Sequence, residues 1–147
     1  MIVRFRQLDY VNDWEWVTDR LPLKQCEGGT GITAYDDVDG RILAVMVNYN
    51  WTPNAVEGHF IIDSMIALRR GFLEECASYL FTQAGRKKAF GQVPSDNEQA
   101  LKLNKKIGFK ELIRLKDVYG DGIDNVILEL KREDCKFWNP PALQEAM

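Results

Sequence analysis

The hydrophobic and polar positions of this chain change period several times, and each change marks an element. Val3 and Phe5 alternate with Arg4 and Arg6, the pattern of a half-buried strand over residues 1–7. Asp9 is placed to cap a helix whose stripe is Tyr10, Trp14, Val17 and Leu21, and Pro22 ends that helix or breaks it into a second short turn. Ile32 to Tyr35 and Ile42 to Tyr49, joined through Asp39-Gly40, read as a β-hairpin. A fourth strand follows from Ala55 to Ser64. Its period of two places Glu57, His59, Ile61 and Asp63 on one face and Gly58, Phe60 and Ile62 on the other.

After a link from Met65 to Arg70, the residues Phe72, Cys76, Ala77, Leu80, Phe81 and Ala84 recur at helical spacing, and Gly85 closes that helix. Ala89 to Val93 fits an interior strand. Ser95 and Glu98 form an S-x-x-E capping box for a helix carrying Ala100, Leu103 and Ile107, which ends in Lys105, Lys106 and a Gly108 cap. Phe109 to Tyr119 and Ile123 to Lys131 follow as two strands around Gly120-Asp121-Gly122, and the tail from about Asp134 is expected to be loosely held. The element order predicts an α+β fold with a mixed, mostly antiparallel central sheet of about seven strands and helices on both faces, in one domain spanning 1–147.

Composition narrows the functional classes. With 147 residues, 46% hydrophobic and 28% charged, the chain can bury one core, and no apolar run approaches the roughly 18 residues of a membrane helix. Charge interrupts each short apolar pair at the start, so a cytoplasmic location is the default expectation. A net charge of −3 gives little basis for nucleic-acid binding. Cys26, Cys76 and Cys135 lack paired spacing and, with a single histidine, make no zinc site; buried reduced thiols are expected. The glycine-rich stretch from Glu27 to Gly31 lacks the G-K-[ST] ending of a phosphate loop and reads as a linker. Asp117 to Leu128 departs from a calcium loop at Tyr119 and Leu128, where oxygen ligands belong, and reads as a hairpin.

Two titratable side chains, Glu57 and His59, share one strand face. His59 has an ordinary pKa near 6.5 that suits proton transfer, and Glu57 can orient it or relay a proton through water. The alternative is that both sit on a half-buried sheet face with no catalytic role.

Asn97, Ala100, Leu103, Lys106, Gly108 and Phe109 resemble the late-helix pattern N-x-x-A-x-x-L-Y-x-K-x-G-F of the GNAT (N-acetyltransferase) superfamily. That resemblance implies the GNAT fold and acetyl-CoA-dependent transfer of an acetyl group to an amine of a small molecule or protein, without a metal. It implies a cofactor site built from the end of the fourth strand (Ile62, Asp63, Ser64), from the start of the central helix (Arg69, Arg70, Gly71, Phe72), and from Asn97 and Asn104. The family's pyrophosphate motif Q/R-x-x-G-x-G/A is matched by Arg70 and departed from at Leu73 and Glu75. Where the family carries a tyrosine as general acid, this chain has Asn104, so the implied catalytic set is Glu57, His59 and Asn104, with Tyr119 as a substitute acid. In the family the acceptor lies against the early helices and the last hairpin, here Trp14, Trp16, Asp19, Tyr119, Asp121 and Asp124, whose acidic groups suit a cationic amine. The same segment is similar to short GNAT-like phage proteins, which implies a second reading: an inactive binding or assembly module, as a homodimer or with an assembly partner, possible in a phage virion.

Overall fold

The first strand, β1 (Val3–Gln7), opens the computed structural model of the chain, which describes residues 1–21 and 29–141. Its alternation is as expected. Val3 and Phe5 pack on the larger core, while Arg4 pairs with Asp37 and Arg6 reaches Asp13. Asp9 caps α1 (Tyr10–Arg20) by accepting the Val11 and Asn12 N–H groups. The buried face of α1 is not the simple apolar stripe: Asp13 and Val17 are buried, whereas Tyr10 is 43% exposed and stacks on Trp14. The second turn anticipated after Pro22, Cys26, and Glu27 and Gly28 of the glycine-rich stretch lie outside the described residues.

Strands β2 (Thr30–Asp36), β3 (Ile42–Tyr49) and β4 (Ala55–Ile62) form successive antiparallel pairs. One helical turn, α2 (Ile66–Arg69), leads into the central helix α3 (Phe72–Ala77), which continues as a π-helix over Ser78–Gln83. Phe72, Cys76, Ala77, Leu80 and Phe81 are buried along it as the spacing predicts, but its wider second half is a departure that spacing alone does not reveal. Strand β5 (Lys88–Pro94), helix α4 (Glu98–Ile107) and strands β6 (Lys110–Gly120) and β7 (Ile123–Lys131) complete a seven-stranded sheet in the order β1-β2-β3-β4-β5-β7-β6. Only β4 and β5 run parallel.

Helices lie on both faces. Buried residues of α3 and α4 join one apolar cluster with Ala44, Met46, Val126 and Leu128, and Val17 of α1 joins a second with Val45, Val47 and Tyr49. Gly31 is required where β2 meets β3, since a Cβ there would stand 1.8 Å from the Met46 carbonyl oxygen.

Two expectations need correction. Asn97, not Ser95, is the N-cap of α4, its side chain accepting the Ala100 N–H, because the Ser95 hydroxyl instead accepts the Asp124 N–H from β7 at 2.8 Å. The tail is also held further than Asp134. Cys135 is buried, the Lys136 N–H donates to Ile107, and Trp138 packs on Phe81 and donates its Nε1–H to Thr82. Among the described residues no helix is long and apolar enough to cross a membrane.

Candidate functional site

The site begins where a strand pairing stops. Parallel β4 and β5 are joined only at Ala55–Lys88, Val56–Ala89 and Glu57–Phe90, and beyond Glu57 they part. The direction of each β4 backbone group follows from its pairing with β3. The Asp63 N–H donates to the Leu43 carbonyl at 2.9 Å, so Asp63 and, two residues apart, Ile61, His59 and Glu57 turn their N–H and C=O groups toward β3. Gly58, Phe60 and Ile62 therefore turn theirs toward β5, where the Gly58 N–H closes the last pairing with Phe90 and the groups of Phe60 and Ile62, past it, face the opening. These are unpaired strand groups of the kind that an extended polar ligand can bond.

Of the three residues expected at the strand end, Ile62 thus faces the opening through its backbone while its side chain packs on the core. Asp63 and Ser64 do not: both N–H groups donate to Leu43, and the Asp63 carboxylate is held by Arg20 of α1, which approaches to 2.9 Å and stacks over Trp16. Asp63 fastens α1 to the rim. Arg69 and Arg70 are exposed at the turn before α3, and Gly71 adopts a left-handed φ of 97° as the α3 N-cap. The Phe72 side chain is wholly buried against Phe5 and Phe60, so this residue offers only its backbone. Leu73 is buried too, while Glu74 is exposed and Glu75 half-buried.

At the base of the opening Glu57 is held from two sides. Asn50 Nδ2 donates to one carboxylate oxygen and Gln92 Nε2 to the other, each at 3.2 Å. Gln92 in turn accepts from Asn125 Nδ2 at 2.9 Å, so a string of polar side chains crosses from β4 through β5 to β7. His59 lies on the same face, stacked on Tyr49 with ring centroids 5.6 Å apart. Burial lowers the His59 pKa from its ordinary value, and the nearby Glu57 charge opposes that shift.

Asn97 and Asn104 are both engaged within α4. Asn97 caps the helix, and Asn104, 8% exposed, donates Nδ2 to the Ala100 carbonyl at 2.8 Å. Tyr119 is exposed on β6. Asp117 and Asp124 close the hairpin, accepting the Gly122 and Asp117 N–H groups. Cys76 and Cys135 are free and buried, and burial raises both thiol pKa values. Among the described residues no group of three or more His, Cys, Asp or Glu is placed to hold a metal ion.

Sequence reasoning brought Glu57 and His59 together through strand parity but missed Asn50, Gln92 and Asn125. The available signal was an amide at an inward position of an otherwise apolar strand, as Gln92 is in β5 and Asn125 in β7.

No protein-family model and no curated protein matches the sequence. Solved structures do match the fold. The spermidine/spermine N-acetyltransferase SpeG of Vibrio cholerae, solved with manganese ions, superposes with a TM-score of 0.72 at 14% identity, over 99% of this chain and 97% of that one. A point mutant of the spermidine N-acetyltransferase SpeG from the same organism gives 0.70 at 15% identity over 89% and 94%. A proposed acetyltransferase, yncA of Salmonella typhimurium, solved with its cofactor acetyl-CoA, gives 0.64 at 14% identity over 90% and 95%. The fold expected from the late-helix residues is the fold of the chain, and these neighbours lend no support to a virion role.

Proposed function

We propose, from a chain that has the GNAT fold, that it transfers an acetyl group from acetyl-CoA to an amine, with both bound at the opening between β4 and β5. The observation that carries this reading is that opening. A strand pair that stops after three positions leaves the β4 backbone at Phe60 and Ile62 facing the opening, and the chain then runs from the end of β4 through Arg69 and Arg70 into the start of α3. Free strand groups suit the amide-bearing arm of the cofactor. Cationic side chains beside helix N–H groups suit its phosphates.

Acetyl-CoA supplies the thioester to be attacked. Glu57, fixed by Asn50 and Gln92, takes the proton from the amine directly or through one water, so that the nitrogen lone pair is free to form the new C–N bond. The C–S bond breaks and its electrons leave on sulfur, which takes a proton from solvent, since the Asn104 amide donates within its own helix. His59, kept neutral by burial, packs beside Glu57 and adds no positive charge to the face that an amine must approach.

Thermal unfolding with and without acetyl-CoA tests the reading. A ligand that binds only the folded chain raises stability by about 2.7 kcal/mol at a hundred times its dissociation constant. Glu57→Gln should keep that rise and lose turnover by about a hundredfold. No rise at millimolar acetyl-CoA would end the proposal, and unchanged turnover in Glu57→Gln would end the assignment of Glu57.

A further inference from the structure

The sheet face that carries Glu57 continues to the β6 edge with no helix over it among the described residues. Gln92 of β5 stands opposite Ile127 of β7, Ile127 opposite Ile113 of β6, and Asn125 opposite Leu115. Directly opposed residues share a face, and the Gln92 bond to Glu57 fixes which face it is. Among the described residues, the apolar side of α1 packs only with β3 and β4, while α3 and α4 serve the other face. Ile113 is therefore 51% exposed and Leu115 41%.

The charges along this strip are uneven. Glu57 is bonded to two neutral amides and, among the described residues, to no cation. Of the other carboxylates on the face, Glu129 is paired with Lys88 at 3.3 Å and Asp63 with Arg20 at 2.9 Å. Asp124 alternates to the opposite face, next to Asn125, and its carboxylate accepts the Asp117 N–H. One anionic point thus stands at the head of an apolar strip, and the two strand spacings from Gln92 to Ile113 give that strip a length of about 10 Å.

We propose that the acceptor is a primary amine carrying a hydrocarbon body, with its nitrogen at Glu57 and its body lying along Ile127, Ile113 and Leu115. This rests on the reading of Glu57 as the group that receives the amine. It separates the chain from neighbours named for spermidine, because a second ammonium group along the strip would lie on apolar side chains, with no carboxylate among the described residues of the strip that is not already paired.

The test is a titration of methyl-labelled protein, followed by the Ile113, Ile127 and Leu115 methyl signals, with n-alkylamines of increasing length and with α,ω-diaminoalkanes of matching length. Affinity should rise with each added methylene, up to about fourfold for one fully buried. The three methyl groups should shift, and each diamine should bind about tenfold or more weakly than the monoamine of equal length. Ile113→Lys and Leu115→Lys, both at exposed positions, should reduce a long amine to the affinity of a short one. A series flat in chain length, silent methyl signals, no binding of any amine, or diamines binding as well as monoamines would each overturn the proposal. No turnover is needed for this measurement. A chain that fails to respond to acetyl-CoA would lose the acyl-transfer reading while the alkylamine series still decides the acceptor strip.

Discussion

Replacing Asp13 by alanine should destabilise the chain more than any surface change, and the expected size can be worked from its contacts. Asp13 is 1% exposed on α1 and its carboxylate accepts from four donors: Arg6 Nη2 at 2.6 Å, Arg6 Nε at 3.4 Å, the Asp9 N–H at 3.0 Å and the Thr33 hydroxyl at 3.0 Å. Breaking a buried ion pair from one side costs about 3–5 kcal/mol. Arg6 keeps 37% of its side chain in solvent and can rehydrate, which puts the estimate at the lower end. Thr33 is fully buried and cannot, and a donor or acceptor left without a partner costs about 1–3 kcal/mol. The net loss should be about 4 kcal/mol, or a fall in Tm of about 13 °C. Urea unfolding should show a lower midpoint with an unchanged slope. Arg6→Ala placed on top of Asp13→Ala should then cost almost nothing more, since the pair is already broken. A loss below about 1 kcal/mol, or additive single effects, would refute the claim that this carboxylate pins α1 to β1 and β2.

Two further outcomes can be measured on the same material. The His59 pKa is lowered in the fold, so the unfolded chain binds the proton first as pH falls: stability is full above about 6.5, declines toward the lower folded value, and is flat below it. His59→Phe should remove that decline, and a slope that survives the substitution would assign it to another group. Gly108→Ala should be far more damaging than Gly40→Ala. Both glycines have positive φ, at 127° and 78°, but a Cβ on Gly108 would stand 2.2 Å from the Asp134 carbonyl oxygen, whereas Gly40 has nothing within 4 Å. Strain alone costs about 1–2 kcal/mol, so equal losses of Tm would show that the close approach to Asp134 carries no cost.

What the sequence made legible was set by local rules. Strand parity placed Glu57 beside His59, the Asp9 cap and the Asp39-Gly40 turn follow from chain neighbours, and the buried line of the central helix follows from its spacing. What it concealed was decided across the sheet. Ser95 loses its capping role to a backbone N–H 29 residues away, and Gln92 finds Glu57 at a separation of 35. Asp13 reads as a polar helix residue until Arg6 and Thr33 are brought around it. β6 carries Leu112, Ile113 and Leu115, yet every residue of that strand is exposed, because its position at the sheet edge leaves it no layer to pack against. Phe137 and Trp138 had no periodicity to announce that they cover α3.

A sheet ordinarily has two borders, and this one has four, because the parting of β4 from β5 opens two more in its middle. Outer borders can be guarded by charge or by kinks, as β6 is by its lysines and register shifts. An inner border is guarded by shape instead. The gap narrows to nothing at Glu57, so a whole polypeptide strand meets the closing walls before it can pair along the full length, while a thinner chain of amides can slide to the bottom. The same wedge limits how far such a chain can travel, and Glu57 stands at its tip.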